Sequence, residues 1–445
     1  MTNYKIKNII LGLSMSSSKN IKLNLRQSIS LVLGNMIGVG IFMLPVSLSQ
    51  YGSISIIGWI TSGLMALFIA SIFRRLSSKY PGENGAFYYT EKSFGEFIGF
   101  FVIWGYWVSI LLVNASIAIA ITSYSTVFFD FLNITNFAMI FTILILLIIA
   151  LINYNGVKRA GNFQLVTSLI KIIPLLITIV IGFYVFEISN FFPINSSEDS
   201  NFNAINITTT LTFFAFLGIE SATIPADRIE NPKENIPRAT MIGTIITILI
   251  YLLSMIALIG IIPTDEIANS NAPFADAIGS VLGDNLKKTI AIFAIISGLG
   301  SLNGWTLLQI EIPKSLAKRK LMGKIFMKKN KNDVPYIGLI ISTLIVSFLI
   351  IMNFSKSLTD IFTYLILTST FCSLMLYLFV SISEFTILVK QRKPISKLKT
   401  SLFTGIPSFI FIIWLIYGVG YESIISGLFL LSFSIPIYIY QKKYA

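Results

Sequence analysis

Two ionisable side chains lie in stretches that otherwise read as lipid-embedded. Glu220 follows the apolar run Phe213-Phe214-Ala215-Phe216-Leu217-Gly218-Ile219, and Lys171 sits within Leu169-Ile170-Lys171-Ile172-Ile173-Pro174. A charge at bilayer depth is costly, and where it occurs it usually marks a substrate or ion path. A carboxyl group there can take part in proton-dependent gating. The plainer alternative for Glu220 is a neutral acid hydrogen-bonded between helices. For Lys171 it is a lysine snorkelling to the interface, which its depth and the following Pro174 argue against.

The elements around these residues are interrupted. Gly34-Asn35-Met36-Ile37-Gly38-Val39-Gly40-Ile41-Phe42-Met43-Leu44-Pro45 breaks an apolar segment, about 27–48, that is long enough to cross a bilayer. Closely spaced glycines weaken a helix and leave its backbone bare. In lipid, bare N–H and C=O groups are tolerated only where protein or a watery cavity covers them. A second break, Phe216-Leu217-Gly218-Ile219-Glu220-Ser221, lies half a protein later. Paired interruptions of this kind point to a mid-membrane binding site in a secondary transporter. Met36, Val39, Gly40 and Leu217 fall at the breaks and are candidate substrate contacts. Half-helix amino ends suit a carboxylate, and unwound carbonyls suit an ammonium group.

Composition agrees with membrane residence. Hydrophobic residues make up 55% of the 445 positions and charged residues 12%, about half the charge of a soluble domain. Apolar runs of spanning length fall near 27–48, 53–73, 97–126, 137–154, 162–186, 208–226, 239–262, 288–312, 336–352, 359–389, 402–420 and 423–440. Residues 1–26 read as a cytoplasmic tail, 27–389 as a ten-span transport core, and 390–445 as two further spans with a short cytoplasmic end. With the amino terminus inside, every lysine and arginine falls on inner segments except Lys287, Lys288 and Lys356 outside and Lys171 within a span. This asymmetry is the positive-inside pattern, and it places both termini in the cytoplasm. It also accounts for the net charge of +13 without nucleic acid. Glu311 and Glu384, at cytoplasmic helix ends, are expected to be solvated.

The two breaks bring the chain to a known family. Gly34 to Phe42 resembles the first-helix motif of the amino acid–polyamine–organocation transporters. Similar matches are Pro81-Gly82-Glu83-Asn84-Gly85-Ala86-Phe87-Tyr88-Tyr89, Phe216 to Ala222, Asn231-Pro232-Lys233-Glu234-Asn235-Ile236-Pro237, Ala268 to Phe274 in an outer loop, and Gly300-Ser301-Leu302-Asn303-Gly304-Trp305-Thr306-Leu307-Leu308. The last two, with Glu220-Ser221-Ala222, look most like the basic amino acid/polyamine antiporter branch, which includes arginine/agmatine and putrescine/ornithine exchangers. The resemblance implies an all-α membrane protein of twelve transmembrane helices. It further implies a LeuT-like 5+5 inverted repeat with discontinuous helices 1 and 6, and exchange without sodium.

Individual residues carry the resemblance unevenly. Trp305 matches a tryptophan that blocks the path from binding site to cytoplasm. Phe214 stands where the arginine/agmatine antiporters have a tryptophan that stacks on the guanidinium, and Val39 stands where they have a serine. Both departures make the site more apolar. Lys171 looks like the fifth-helix lysine that replaces a sodium ion in sodium-independent relatives by bonding carbonyls at the helix 1 break. Tyr106 and Asn114, eight apart on one face of span 3, match substrate-site positions, as do Ser369 and Tyr377 in span 10. Tyr89 matches a tyrosine near the inner gate. Interhelical hydrogen bonding is the plainer use of each of these polar side chains.

Other classes fit poorly. The chain has no histidine and one cysteine, Cys372, so no metal cluster, haem or other cofactor is expected. No P-loop is present, and no protease dyad is recognisable. A channel is a rival, though paired breaks with Glu220 suit alternating access better. A substrate sensor on a transporter fold is another, distinguished by having no need of Lys171. The expectation is therefore an inner-membrane antiporter of cationic amino acids and their amines, arginine/agmatine first. Putrescine/ornithine exchange and a proton-coupled or exchanging neutral amino acid permease are the alternatives. Its expected partners are the small-molecule substrate and the lipid bilayer, without nucleic acid, and association as a homodimer is compatible with all of this.

Overall fold

A computed structural model describes residues 23–38, 40–80, 85–156, 167, 170–223, 229–354 and 356–444. Val39, the Pro81 to Asn84 part of the second motif, and all but the last residues of the amino-terminal tail lie outside the described residues. Helices account for nearly all regular structure, and no strand occurs among the described residues. An isolated parallel bridge joins Leu23 to Ile229.

The first expected span is two helices, α1 (Leu25–Met36) and α2 (Gly40–Ser49), bent by 41° at the break. Asn24 and Gln27 form a reciprocal capping box at the start of α1, which satisfies two amide groups that the first turn leaves open. The chain continues through α3 (Ser55–Lys79), α4 (Ala86–Phe94), α5 (Glu96–Ser125) and α6 (Thr135–Tyr154). α7 (Ile172–Tyr184) holds the outer part of the fifth span, and α8 (Asn201–Phe214) opens the sixth. α9 (Pro232–Ile261) follows. The connection after it, expected as a loop, folds largely into two short helices, α10 (Thr264–Ala268) and α11 (Pro273–Leu282). α12 (Asp284–Lys318), α13 (Tyr336–Asn353), α14 (Leu358–Lys390) and α15 (Ile395–Gly418) complete the longer helices. The last span divides into α16 (Tyr421–Ser432) and α17 (Ser434–Tyr444). Each of the twelve expected segments thus contains helix. Among the described residues nine helices are long and apolar enough to cross a membrane, or ten when the bent α1–α2 pair is taken as one span.

Position in the bundle decides which faces are apolar. α5 and α14 pack along each other at the centre, and both are buried nearly all round. α6 and α13 lie at the periphery, where Leu144, Leu147, Leu151, Leu344, Phe348 and Ile351 remain exposed, as a lipid-facing wall requires. α9 packs on α1, α3 and α7, and α8 on α3. The interrupted helices are in this way surrounded by continuous ones.

Glu384 corrects an expectation. Its side chain is only 4% exposed, and Arg75 Nε and Lys79 Nζ reach its two oxygens at 2.6 and 2.9 Å. Being near a helix end is not enough for solvation when the neighbouring helix supplies two cations. Arg75 also donates to Thr404 Oγ1 at 2.5 Å, so α3, α14 and α15 are tied at this level. Glu311 stays at the surface, half exposed beside Lys314.

Candidate functional site

The two breaks meet each other. Gly218 has φ of +107°, a conformation that side chains rarely adopt. A Cβ placed on it would lie 3.4 Å from the backbone of Asn35. Gly40 is needed for a different reason: its Cβ would come within 2.9 Å of Phe214 Cε1. The last residue of α8 therefore lays its ring directly on the first residue of α2. Phe362 closes over that ring edge-on, with centroids 6.4 Å apart. Leu217 is buried between them in sequence, its N–H held by the Phe214 carbonyl at 3.1 Å.

Glu220 lies just past this junction and is 1% exposed. Tyr106 Oη of α5 donates to Oε1 at 2.6 Å, and Tyr377 Oη of α14 donates to Oε2 at 2.6 Å. Each carboxyl oxygen thus has its own phenol, one from each central helix. Buried polar groups need such partners, and short bonds of this kind to a carboxylate are among the stronger ones. Thr223 closes the following turn by donating its N–H and hydroxyl to the Glu220 carbonyl at 2.8 and 2.6 Å. Tyr377 is itself framed edge-on by Phe73 and Phe213.

Lys171 is fully buried, and its Nζ donates to the carbonyl oxygen of Gly34 at 2.8 Å. That carbonyl belongs to the last turn of α1, where the break leaves acceptors without a helical donor. A cation here satisfies an acceptor that lipid could not.

Asn114 Nδ2 donates to Gln309 Oε1 at 2.5 Å across α5 and α12, and Trp107 Nε1 donates to the Gln309 carbonyl at 3.0 Å. The other atom of the carboxamide, Asn114 Oδ1, is buried with no hydrogen-bond partner. Trp305, one turn before Gln309 on α12, is buried. Ser369 is placed differently from an open substrate contact, because its hydroxyl donates to the Ser109 carbonyl at 3.0 Å and ties α14 to α5. Tyr89 is buried on α4 with its ring edge-on to Tyr88. Met36, the final residue of α1, is buried, and its carbonyl accepts from Tyr251 Oη at 2.6 Å.

Tyr251 and Gln309 are absent from the sequence-derived candidates. Both were findable in principle, since each is a polar side chain inside an apolar run, Ile248-Leu249-Ile250-Tyr251-Leu252 and Leu307-Leu308-Gln309-Ile310. Tyr124 is a third residue outside the candidates; it lies in the polar stretch Thr122-Ser123-Tyr124-Ser125-Thr126 and donates to the Phe42 carbonyl in α2 at 3.0 Å. Among the described residues no group of three metal-ligating side chains gathers.

A family model described as amino acid permease matches residues 23–439. The chain is similar to the putrescine transporter PotE of Haemophilus influenzae, 31% identical over 417 residues that cover 92% of this chain and 95% of that one. It is equally similar to the protein of that name in Escherichia coli K12, 31% over 418 residues, covering 93% and 94%. A Bacillus subtilis protein provisionally named an arginine/ornithine antiporter is 31% identical over 397 residues, covering 81% of this chain and 83% of its own.

Proposed function

This chain belongs to the amino acid permease family of the amino acid–polyamine–organocation transporters, and from that premise we propose that it exchanges diamines and cationic amino acids across the bacterial inner membrane. It is a multi-pass membrane transporter and not an enzyme. Within the proposal, putrescine and ornithine come ahead of arginine and agmatine. Two relatives named for putrescine support this order, as do Phe214 and Val39 in place of the tryptophan and serine of the arginine/agmatine antiporters. A guanidinium gains most from a tryptophan face, whereas a short diamine needs only acceptors for its two ammonium groups.

The observation that carries the reading is the Glu220 carboxyl, suspended between Tyr106 and Tyr377 beside the junction of the two breaks. It joins the interrupted helix to the two central ones, so a cation attracted to it acts on the elements that must move. Farther along α5, the free Asn114 Oδ1 suits an ammonium group, and Met36, Gly40 and Leu217 are the substrate contacts at the breaks. Phe214 offers the aromatic face, Trp305 blocks the inner path, and Tyr89 belongs to the inner gate. Lys171 stands in for a sodium ion at Gly34. Ser369 serves by holding α14 to α5. The core spans 27–389 as two inverted five-helix repeats, both termini face the cytoplasm, and alternating access arises by rocking of the interrupted helices.

Counterflow in proteoliposomes tests this. Vesicles are loaded in turn with unlabelled putrescine, ornithine, arginine, agmatine or alanine, and uptake of labelled putrescine is followed with and without a pH gradient. Internal putrescine or ornithine is expected to drive uptake well above empty vesicles. Exchange seen only between alanine and a labelled neutral amino acid would overturn the cationic reading.

A further inference from the structure

A cavity of about 320 Å³ opens between the last turn of α3 and the first turns of α9, on the face that the basic residues assign to the cytoplasm. Arg74, Arg75, Lys79, Lys233 and Arg238 line it together with one acid, Glu234. Retention of positive charge on the inner side explains the sign of these residues. It does not explain why five of them converge on one concavity.

Their pairing leaves cationic capacity unused. Arg75 and Lys79 turn away toward Glu384, and Arg238 Nη1 lies 3.8 Å from Glu234 in an exposed pair. Arg74 and Lys233 have no acidic partner among the described residues. Two arginines, Arg74 and Arg238, present planar forks, which suit phosphate oxygens better than point charges do.

A second feature singles out the source of the phosphate. Arg238 is followed on α9 by Ile242, Ile245 and Leu249, which are 39%, 44% and 53% exposed. Spacings of four, three and four residues place all of them on one face of the helix. An apolar stripe thus rises from the cationic cavity toward the bilayer centre, as an acyl chain below a headgroup would require. A soluble anion has no use for that stripe.

We propose that this cavity binds the headgroup of an anionic phospholipid, with Arg74, Lys233 and Arg238 on the phosphodiester and an acyl chain along Ile242, Ile245 and Leu249. Because Arg75 and Lys79 also hold Glu384, a lipid in this cavity braces the inner ends of α3, α9 and α14 together. The proposal is independent of which substrate is carried.

The test is lipid retention by native mass spectrometry, on protein released from bilayers of equal phosphatidylcholine and phosphatidylglycerol. The unaltered protein is expected to retain phosphatidylglycerol preferentially. The variant Arg74→Gln/Arg238→Gln should lose that preference, about fivefold for each charge near the surface. Lys324→Gln/Lys328→Gln removes as much exposed charge from another inner segment and should leave retention unchanged. An equal loss in this second variant, or equal retention of both lipids by the unaltered protein, would overturn the proposal. Displacement of the lipid by excess inorganic phosphate would reassign the cavity to a soluble anion. Should the double variant fail to fold, Lys233→Gln and the thermal midpoint of the unaltered protein, expected to be higher in phosphatidylglycerol than in phosphatidylcholine, answer the same question.

Discussion

The hydroxyl of Tyr251 donates to the carbonyl oxygen of Met36 at 2.6 Å and lies 3.4 Å from the carbonyl oxygen of Ala215. One side chain of α9 therefore reaches both interrupted helices at the point where each leaves a carbonyl without its helical donor. An unsatisfied buried carbonyl costs about 1–3 kcal/mol, so this contact stabilises the broken conformation from outside the site. Tyr251→Phe is expected to lower the thermal midpoint and to slow exchange about tenfold, in keeping with the loss of such a bond. A variant with unaltered exchange in proteoliposomes would show that the breaks stand without it.

The two phenols on Glu220 act as one unit if the carboxyl must be held from both sides. Tyr106→Phe and Tyr377→Phe are each expected to reduce exchange, and the double variant to lose less than the product of the two. Residues sharing one partner couple by about 0.5–3 kcal/mol. Additive effects in the double-mutant cycle would mean that the tyrosines serve separate purposes.

Lys171→Met removes the donor to Gly34 while keeping the length of the side chain. Exchange should fall to about a tenth or less, since a buried acceptor is left bare, whereas binding of labelled substrate to detergent-solubilised protein should survive. Normal exchange would return Lys171 to a passive role. A protein that binds but never exchanged before the substitution would be the sensor.

Gly40 and Phe214 are matched in size. Gly40→Ala would set a methyl group 2.9 Å from Phe214 Cε1, and overpacking of this kind costs about 1–3 kcal/mol. Weaker substrate affinity is expected, read as a raised half-saturation in counterflow. Phe214→Trp should favour agmatine over putrescine about threefold through the stronger cation–π face, provided the ring can shift past Gly40. Competition between the two amines for labelled putrescine uptake measures it.

Glu384→Ala strands Arg75 and Lys79 at the inner end of α3. Breaking a fully buried ion pair costs about 3–5 kcal/mol. Lys79 is 40% exposed and Arg75 24%, so about 1–3 kcal/mol is the expectation once solvent screening is allowed for. A fall in the thermal midpoint, with the substrate order in counterflow unchanged, would confirm a structural tie. A changed substrate order would place Glu384 on the transport path.

Much of the fold was legible because lipid imposes a simple code. Twelve apolar stretches, the basic bias of alternate connections, three glycines close together in the first stretch and one glycine beside an acid in the sixth can all be read in one dimension. Helix in the connection after α9 was not legible, since a ten-residue helix has too weak a local signal to stand apart from a loop. The site divides along the same line. Glu220 and Lys171 announce themselves, because a charge in an apolar run is conspicuous wherever the run ends up.

The chain alone thus determined that a broken-helix membrane bundle would form and that a buried acid and a buried lysine would need partners within it. Only the tertiary structure decided who those partners are. Tyr106 and Tyr377 lie 271 positions apart yet share one carboxyl, Gly34 receives Lys171, and Asn114 is turned by Gln309 so that its oxygen stays free. Glu384 makes the same point in reverse, exposed by sequence position and buried by the arrival of α3. The physical reason is that cost and satisfaction have different ranges. Desolvation of a side chain follows from its own apolar neighbours along the chain, whereas a hydrogen bond is satisfied across about 3 Å of space by whichever helix packing brings near.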